Sequence, residues 1–548
     1  MLEVIKRYKK GISEVCVMVV AVLVFVIILG ADIIDPQNIE MYKSTGFLAN
    51  DRNQHYYGWA AYRQSAWQFP IGLFNTLTYP DNVSIIFTDS IPLLAVIFKL
   101  LSPLLPAQFQ YFGIWEMMCF ALVALIAYRI IYKATDHILY SALGSMLFII
   151  APIMIHRATV HEALMAHWIV LYALETLFYI RDYIDTKKIY TRTVLLGFFA
   201  STIHMYFLLL SGVVMIGICI SVWIMKKNLK IPVCLMMIYL AIAVFFVWIL
   251  GGFSSSGVTT TDVNVLGIYS ANLNTFINPL GKSVLLQDKP LYSIGQVDGT
   301  GYLGVGCILM LLIAVSVYLN RREDFVLQKW QKISIGIVAL LSFGVAISPI
   351  ISINNIKLFE FHLPRIIEEV WSNFRCYGRL VWIDVWLFMF AAIVIVGRTF
   401  QKRLAFVILS AVVLVQCYDL HDCFAEYYDM CHDVEPVIDI SEYDEIKVLE
   451  QDSNVKNVII WKSYLENENY NSLVPIYIWA VEHGMTVNYF YLARDDAQLY
   501  ELRTEKALND KRETDIFVFE IADEPLCIQE GLYYKIVGDY IFARTCPW

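Results

Sequence analysis

Charged residues are scarce in this chain. They make up 17% of 548 residues, against 58% hydrophobic ones. Soluble domains carry roughly a quarter charged residues, so an ordinary soluble globular protein is excluded. The long apolar runs hold few ionisable side chains near their midpoints, which argues against a proton relay or coupled transport through a bilayer. The 11 cysteines form no CxxC and no Cys/His cluster with zinc spacing. Most lie in apolar runs, where cysteine acts as a small hydrophobe. The first run, "VCVMVVAVLVFVIILGADII", has no small-residue cleavage site and is too long for a signal-peptide core, so it is expected to stay as a first helix. Basic residues are sparse in the tail, where 27 acidic face 10 basic residues from Asp419 onward. That excludes nucleic acid as its partner.

What the chain does have is a succession of apolar runs from residue 12 to about 418, each able to span roughly 30 Å of hydrocarbon as a helix. The expected fold is a mostly α, polytopic helical membrane bundle of about 11 transmembrane helices with a small C-terminal α/β domain. The expected crossings lie near 12–34, 108–131, 137–155, 160–181, 191–208, 209–226, 232–250, 301–320, 333–352, 377–397 and 404–418. "KRYKK" precedes the first, and every second one ends in a basic loop: "YRIIYK", "RDYIDTKK", "MKKNLK", "NRREDFVLQKWQK" and "GRTFQKR". The positive-inside rule then makes this a multi-pass plasma (inner) membrane protein with a cytoplasmic N-terminus and an extracytoplasmic C-terminal domain. "IPLLAVIFKLLSPLLP" is only about 16 residues long, and counting it as a crossing would invert every later loop. It is expected to lie as an amphipathic helix on the outer face. The domain boundaries are 1–418 for the membrane part, with long outer loops at 35–107 and 251–300, and 419–548 for the tail.

In the tail, strand and helix patterns alternate. "VKNVIIW", "TVNYFY" and "TDIFVFE" read as strands, "LVPIYIWAVEHG" and "DDAQLYELRTEKALND" as helices, and "LYYKIVGDYIFAR" as a hairpin turning at Gly538-Asp539. Cys423, Cys431, Cys527 and Cys546 would sit in an oxidising space and can pair, in any connectivity.

On this topology the unusual polar residues collect at one side. They are Asp51, His55, Arg63, Asp89, His156, Arg157, His161, Glu162, His362, Arg365, Arg375 and Arg379, with His204 near the same end. Asp51, His55, Trp59, Arg63 and Trp67 recur at steps of four and form one slowly drifting helical stripe. Such a stripe is either an aromatic-belt anchor or a wall of an active site. Arg375 and Arg379 are one turn apart and can grip a phosphate through charge-assisted hydrogen bonds.

The order of parts resembles the GT-C superfamily of membrane glycosyltransferases: a first span, a long outer loop with an early carboxylate (Asp51), then "DSIPLLAVIFKLLSPLLP" leading into "FQYFGIWEMMCF". More closely, "NDRNQHYYGWAAYRQSAWQFPIG", "YPDNVSIIFTDSIPLLAVIFKLL", "HRATVHEALMAHW", "YSANLNTFINP", "GTGYLGVG", "FRCYGRLVW" and "VNYFYLAR" resemble an uncharacterised bacterial family of GT-C-like membrane proteins. That family's pattern has an acidic residue and an aromatic where "VDGTGYLG" carries Asp298, Gly299 and Thr300, and the chain departs from it there. The resemblance implies an enzyme that moves a sugar, with inversion, from a polyprenyl-phosphate donor to a glycan or lipid acceptor at the cell envelope. It implies Asp51 as general base and Asp89 as a second acidic residue that orients the acceptor or holds a divalent metal such as Mg or Mn. Arg375 and Arg379, with His161, His55 and Arg63, would bind the donor phosphate, and Trp59 and Trp67 would stack on sugar or carrier lipid. The competing expectations are a flippase or export component for lipid-linked glycans, and a non-catalytic membrane scaffold.

Overall fold

The computed structural model describes every residue except Met1 and those numbered 45–48, 159, 257, 259–265, 322–326, 467–469 and 494–496. Part of one basic loop ("REDFV") and the "DD" opening the second tail helix therefore lie outside the described residues. The chain is mostly helical. Its main helices up to residue 432 are α1 (Leu2–Leu29), α2 (Ala49–Gln64), α3 (Pro92–Leu100), α4 (Phe112–Thr135), α5 (Ile138–Ile149), α6 (Trp168–Phe178), α7 (Lys188–Ile203), α8 (Met205–Lys226), α9 (Lys230–Ile249), α10 (Val305–Asn320), α11 (Lys329–Ala346), α12 (Arg365–Ser372), α13 (Val381–Thr399), α14 (Lys402–Asp419) and α15 (His421–His432).

A helix falls in each of the eleven segments expected to cross. Five among the described residues are long and apolar enough to do so: Lys10–Leu29, α4, α8, α9 and Tyr377–Thr399. A sixth is added if α14 and α15, bent by 52°, form one broken span. The expectation of eleven full crossings exceeds that number. Helices α5 and α10 have 12 and 16 residues, so they rise about 18 and 24 Å and fall short of a 30 Å core. The boundary expected after residue 208 falls at His204, whose extended backbone ends α7 and whose ring caps α8.

Helix α3 is inside out. Lys99 points inward, stacks on Tyr62 and Trp67 and donates to Ser65 Oγ (2.9 Å), while Leu100, Leu101 and Leu104 face outward. The carbonyls beyond it, of Leu105, Pro106 and Ala107, are taken up by the Arg63 guanidinium. The face is left with apolar side chains outward, as an interfacial helix requires.

Short ladders join β1 (Leu73–Phe74) to β2 (Val83–Ser84) and β3 (Ile350–Ile353) to β4 (Ile356–Glu360). In the tail, β5 (Asn457–Ile460), β6 (Thr486–Val487) and β7 (Asp515–Glu520) run parallel, and β8 (Tyr533–Val537) and β9 (Tyr540–Arg544) complete the sheet antiparallel, in the order β6-β5-β7-β9-β8. The crossover helices are Val474–Glu482 and Ala497–Asp510, so the expected alternation is found, although "TVNYFY" is a strand only over Thr486–Val487. All eleven cysteines are free thiols. The tail seats its β6 edge on the first long loop. Val487 N–H donates to Thr76 O (2.8 Å), Tyr79 N–H to Val487 O (2.9 Å), and Arg503 Nε to Asp81 Oδ2 (2.7 Å). Ala493 N–H donates to Phe87 O (3.0 Å), which brings residues 488–493 beside the segment that carries Asp89.

The basic loops share one end of the bundle. Lys133 pairs with Asp182, Lys226 with Asp185, Arg181 Nη2 donates to Gln328 Oε1 (3.5 Å), and Lys402 Nζ to Asp136 O (3.1 Å).

Candidate active site

At another part of the bundle, away from those loops, a cavity of about 490 Å³ is lined by Asp51, Asp89, His161, His204, Arg375 and Arg379, with Tyr206 from α8 and Tyr491 from the tail. A larger groove of about 820 Å³ along the flank is walled by apolar side chains, and its charges are tied up in Arg129–Glu14 and Arg192–Glu175 pairs. The unusual titratable side chains gather in the smaller one.

Helix α2 aims Asp51 into this cavity. Four residues turn a helix by about 400°, so the stripe drifts about 40° per step. That rotation separates the members on the helix, and Trp67 lies beyond its end at Gln64. His55, one turn on, is fully buried and paired with Glu162, itself fully buried. Trp59 lies in the core, its Nε1 donating to Phe109 O (3.0 Å). Arg63 clamps the end of the α3 segment, and Trp67, half-exposed, covers Lys99. Of the expected site residues, the structure therefore brings together Asp51, Asp89, His161, Arg375 and Arg379. His55, Trp59, Arg63 and Trp67 are engaged with protein partners instead. His362 and Arg365 also lie outside the cavity, before and at the start of α12, where Arg365 pairs with Glu369.

Asp89 reaches the cavity from a turn in which both it and Ile91 have φ of 52°. The left-handed region is costly for a β-branched side chain such as Ile91, and such strain persists only where neighbours impose it. Here Ser90 Oγ donates to His55 O (2.7 Å) and contacts Thr88 Oγ1 (2.8 Å), and Tyr111 OH donates to Ser90 O. Gly58 makes the docking possible. A Cβ there would stand 2.5 Å from Thr88 Cβ.

Each carboxylate faces an imidazole whose other nitrogen is already used. His204 Nδ1 accepts from Tyr206 N–H (3.1 Å), so its Nε2 carries the proton that faces Asp89 Oδ1 (3.2 Å). His161 Nδ1 accepts from Arg157 Nη1 (3.4 Å), and its Nε2 lies 3.4 Å from Asp51 Oδ2. Burial, seconded by Arg157 and Arg379, holds His161 well below the usual imidazole range, so it is neutral.

The two carboxylates are driven apart. Burial pushes Asp51 up to about 6, only partly opposed by His55 and reinforced by Asp89 and Asp298. Burial also raises Asp89, but His204, by charge and hydrogen bond, and then His55 more than reverse it and leave Asp89 well below the usual range. Two acidic groups separated in this way take different roles, one exchanging protons near neutrality and one staying ionised.

A third carboxylate, Asp298, anchors the cations. Its Oδ1 accepts from Arg157 Nη2 (3.1 Å) and Arg379 Nη2 (2.7 Å), and its Oδ2 from the Cys376 thiol (3.3 Å). Burial alone would raise Asp298, yet Arg379 and Arg157 hold it well below the usual range. Arg379 also stacks over Tyr206, 4.5 Å from the ring centroid, and Arg375 lies 5.0 Å from the Tyr269 ring. One carboxylate thus serves two arginines, and Arg375 makes no ion pair among the described residues, so the rim has cationic charge to spare for an anion. No group of three or more His, Cys, Asp or Glu that could hold a metal ion occurs among the described residues, so the residues present do not fit the Mg or Mn ion that the resemblance implied for Asp89.

Sequence reasoning assigned Tyr491 no role and marked Asp298 only as lying where the chain departs from the family pattern. Both sit in segments without helical periodicity, which carry no signal of what they face. Arg157, Glu162 and His204 stood out as polar residues in apolar surroundings, but spacing alone does not pair them.

A family model described as "Domain of unknown function (DUF6311)" matches residues 18–421, and one described as "DUF6311 C-terminal domain" matches residues 445–545. No curated protein matches the chain. Among solved structures it is similar to the Archaeoglobus fulgidus oligosaccharyltransferase in complex with Zn and sulfate, with 10% identity and a TM-score of 0.46, over 96% of this chain and 73% of that one. It is also similar to the Archaeoglobus fulgidus oligosaccharyltransferase AglB in complex with an inhibitory peptide and a dolichol-phosphate, with 11% identity and a TM-score of 0.44, over 98% and 74%.

Proposed function

The chain belongs to the family described as domain of unknown function DUF6311, and for it we propose a membrane glycosyltransferase that moves a sugar from a polyprenyl-phosphate donor to an acceptor hydroxyl on the extracytoplasmic side. The observation that carries this reading is the single cavity in which Asp51, poised near neutrality, faces arginines with cationic charge to spare. Asp51 takes the proton of the acceptor hydroxyl. The freed oxygen lone pair bonds to the anomeric carbon from the face opposite the lipid phosphate, the carbon–oxygen bond to that phosphate breaks, and the configuration inverts. Arg375 and Arg379 receive the negative charge that develops on the departing phosphate, and Asp298 and Arg157 hold Arg379 in place. Asp89, kept ionised against His204, orients a second acceptor hydroxyl. Support for the extracytoplasmic side comes from the basic loops, which gather at one end of the bundle, away from the cavity. The tail lines the same cavity with Tyr491 and so belongs on the same side.

The test is reconstitution. Purified protein in liposomes is mixed with lipid-linked sugars extracted from a strain lacking it, and free polyprenyl phosphate is followed by mass spectrometry. Release that depends on added acceptor, and disappears with Arg379→Ala, is expected. Movement of intact lipid-linked sugar across the bilayer without release would instead mark a flippase.

A further inference from the structure

The His55–Glu162 pair is the most deeply buried charge in the cavity's surroundings, and the reaction as drawn does not use it. Both side chains are fully inaccessible, so neither touches substrate. A buried ion pair is costly to build and is weak evidence for stability, so its presence asks for another role. The geometry offers one. Asp51 and His55 stand one turn apart on α2, and His161 and Glu162 are consecutive, so two contacts of opposite polarity bridge the same two segments: Asp51 to His161 and Glu162 to His55. The rings of His55 and His161 are 6.1 Å apart, edge to face. Trp115 Nε1 donates to Glu162 O (2.7 Å), and Ser90 Oγ donates to His55 O (2.7 Å), so α4 and the Asp89 turn brace the pair from either side.

We propose that Glu162 and His55 are positioning residues for Asp51: the buried pair locks one positive charge a helical turn beneath the carboxylate and ties α2 to the segment that carries His161. This deepens the proposed function by naming what holds its base. The groups facing Asp51 are His55 on its own helix, His161, Asp89, Asp298 and Arg379, with Tyr491 from the tail. Those facing His55 are Glu162, Asp89, Asp51 and the His161 ring. Burial alone would lower His55, and Glu162, by charge and hydrogen bond, together with Asp89 and Asp51, more than reverses this. His55 is in turn the strongest group drawing Asp51 down from the value burial imposes. Without Glu162 the imidazole becomes neutral, and Asp51 holds its proton to higher pH.

The experiment needs no substrate. A hydrophobic carbodiimide adds to protonated carboxyl groups, and the tryptic peptide of residues 44–52 contains Asp51 as its only carboxylate. Labelling of that peptide is measured against pH in the full-length protein in detergent, with thermal melting as a check on folding. Wild type is expected to lose half its labelling near pH 6. Glu162→Gln and His55→Gln should each move that half-point up by about half a pH unit or more. The double variant should move it no further than His55→Gln does, because the two residues act as one device. Where Glu162→Gln does not fold, Glu162→Asp keeps the charge and should hold the wild-type half-point, while His55→Gln still raises it. An unmoved half-point in folded Glu162→Gln or His55→Gln, or additive shifts in the double variant, would overturn the proposal. The labelling reads only Asp51, so these shifts can be found even if the protein transfers no sugar, and the two claims fail separately.

Discussion

The basic loops and the cavity are both rich in ion pairs, and the pairs differ in kind. At the basic loops, Lys133–Asp182 and Lys226–Asp185 join half-exposed side chains at the surface. Water and salt screen such pairs, and their net worth is about 0–1 kcal/mol. At the cavity, Arg157 and Arg379 are almost fully buried around Asp298, and His55 and Glu162 are completely so. Removing a charge from water costs several kcal/mol, which mutual attraction seldom repays with a surplus. The loop charges are of the kind a solvated surface carries at little cost. The cavity charges demand a use.

The contrast breaks most sharply at Asp298. Asp298→Ala leaves two buried arginines facing each other and should destabilise the protein by about 3–5 kcal/mol, read as a lower Tm in detergent, and should abolish transfer. Because the folded protein holds Asp298 below its usual range, its contribution is present above the ordinary carboxylate pKa and fades only as pH falls through the lower folded value. Asp51 has the opposite sign. Its folded value, about 6, lies above that of the unfolded chain, so ionised Asp51 costs stability at neutral pH. Asp51→Asn should therefore raise stability at pH 8 by about 1 kcal/mol while cutting transfer by about 10²- to 10⁴-fold. In wild type, transfer should decline as pH drops below about 6 and Asp51 becomes protonated. Gly58→Ala sharpens the comparison from the backbone side. Its methyl would meet Thr88 at 2.5 Å, so a loss of about 1–3 kcal/mol is expected, with reduced transfer as the Asp89 turn shifts. Lys133→Ala and Lys226→Ala should do least: a change within about 0.5 kcal/mol and unaltered transfer.

Much of the helical order was legible because apolar runs and basic loops are one-dimensional signals. The tail strands were legible because alternation and glycine turns are local. The count of crossings was not, since a run such as 137–155 is apolar over its length yet helical over only part of it, with its main helix ending at Ile149. The stripe on α2 shows the limit for the site. Spacing placed five side chains on one line, but the drift of that line, and what α3 and Glu162 offer along it, decided that Asp51 faces the cavity while Trp59 joins the core. The role of Asp298, named only as a departure from the family pattern, was illegible for a related reason: it comes from two arginines more than 80 residues away on either side of it in sequence.

The central claim is that Asp51 serves a transferase, and its most direct test is mass spectrometry of surface glycans and lipid-linked sugars in a deletion strain. That strain would be complemented at matched expression with wild type, Asp51→Asn or Lys133→Ala. The account predicts that deletion removes one sugar from a surface polymer and builds up its carrier-linked donor, and that wild type and Lys133→Ala restore the glycan while Asp51→Asn does not. Full restoration by Asp51→Asn, or an unchanged glycan profile on deletion, would contradict it.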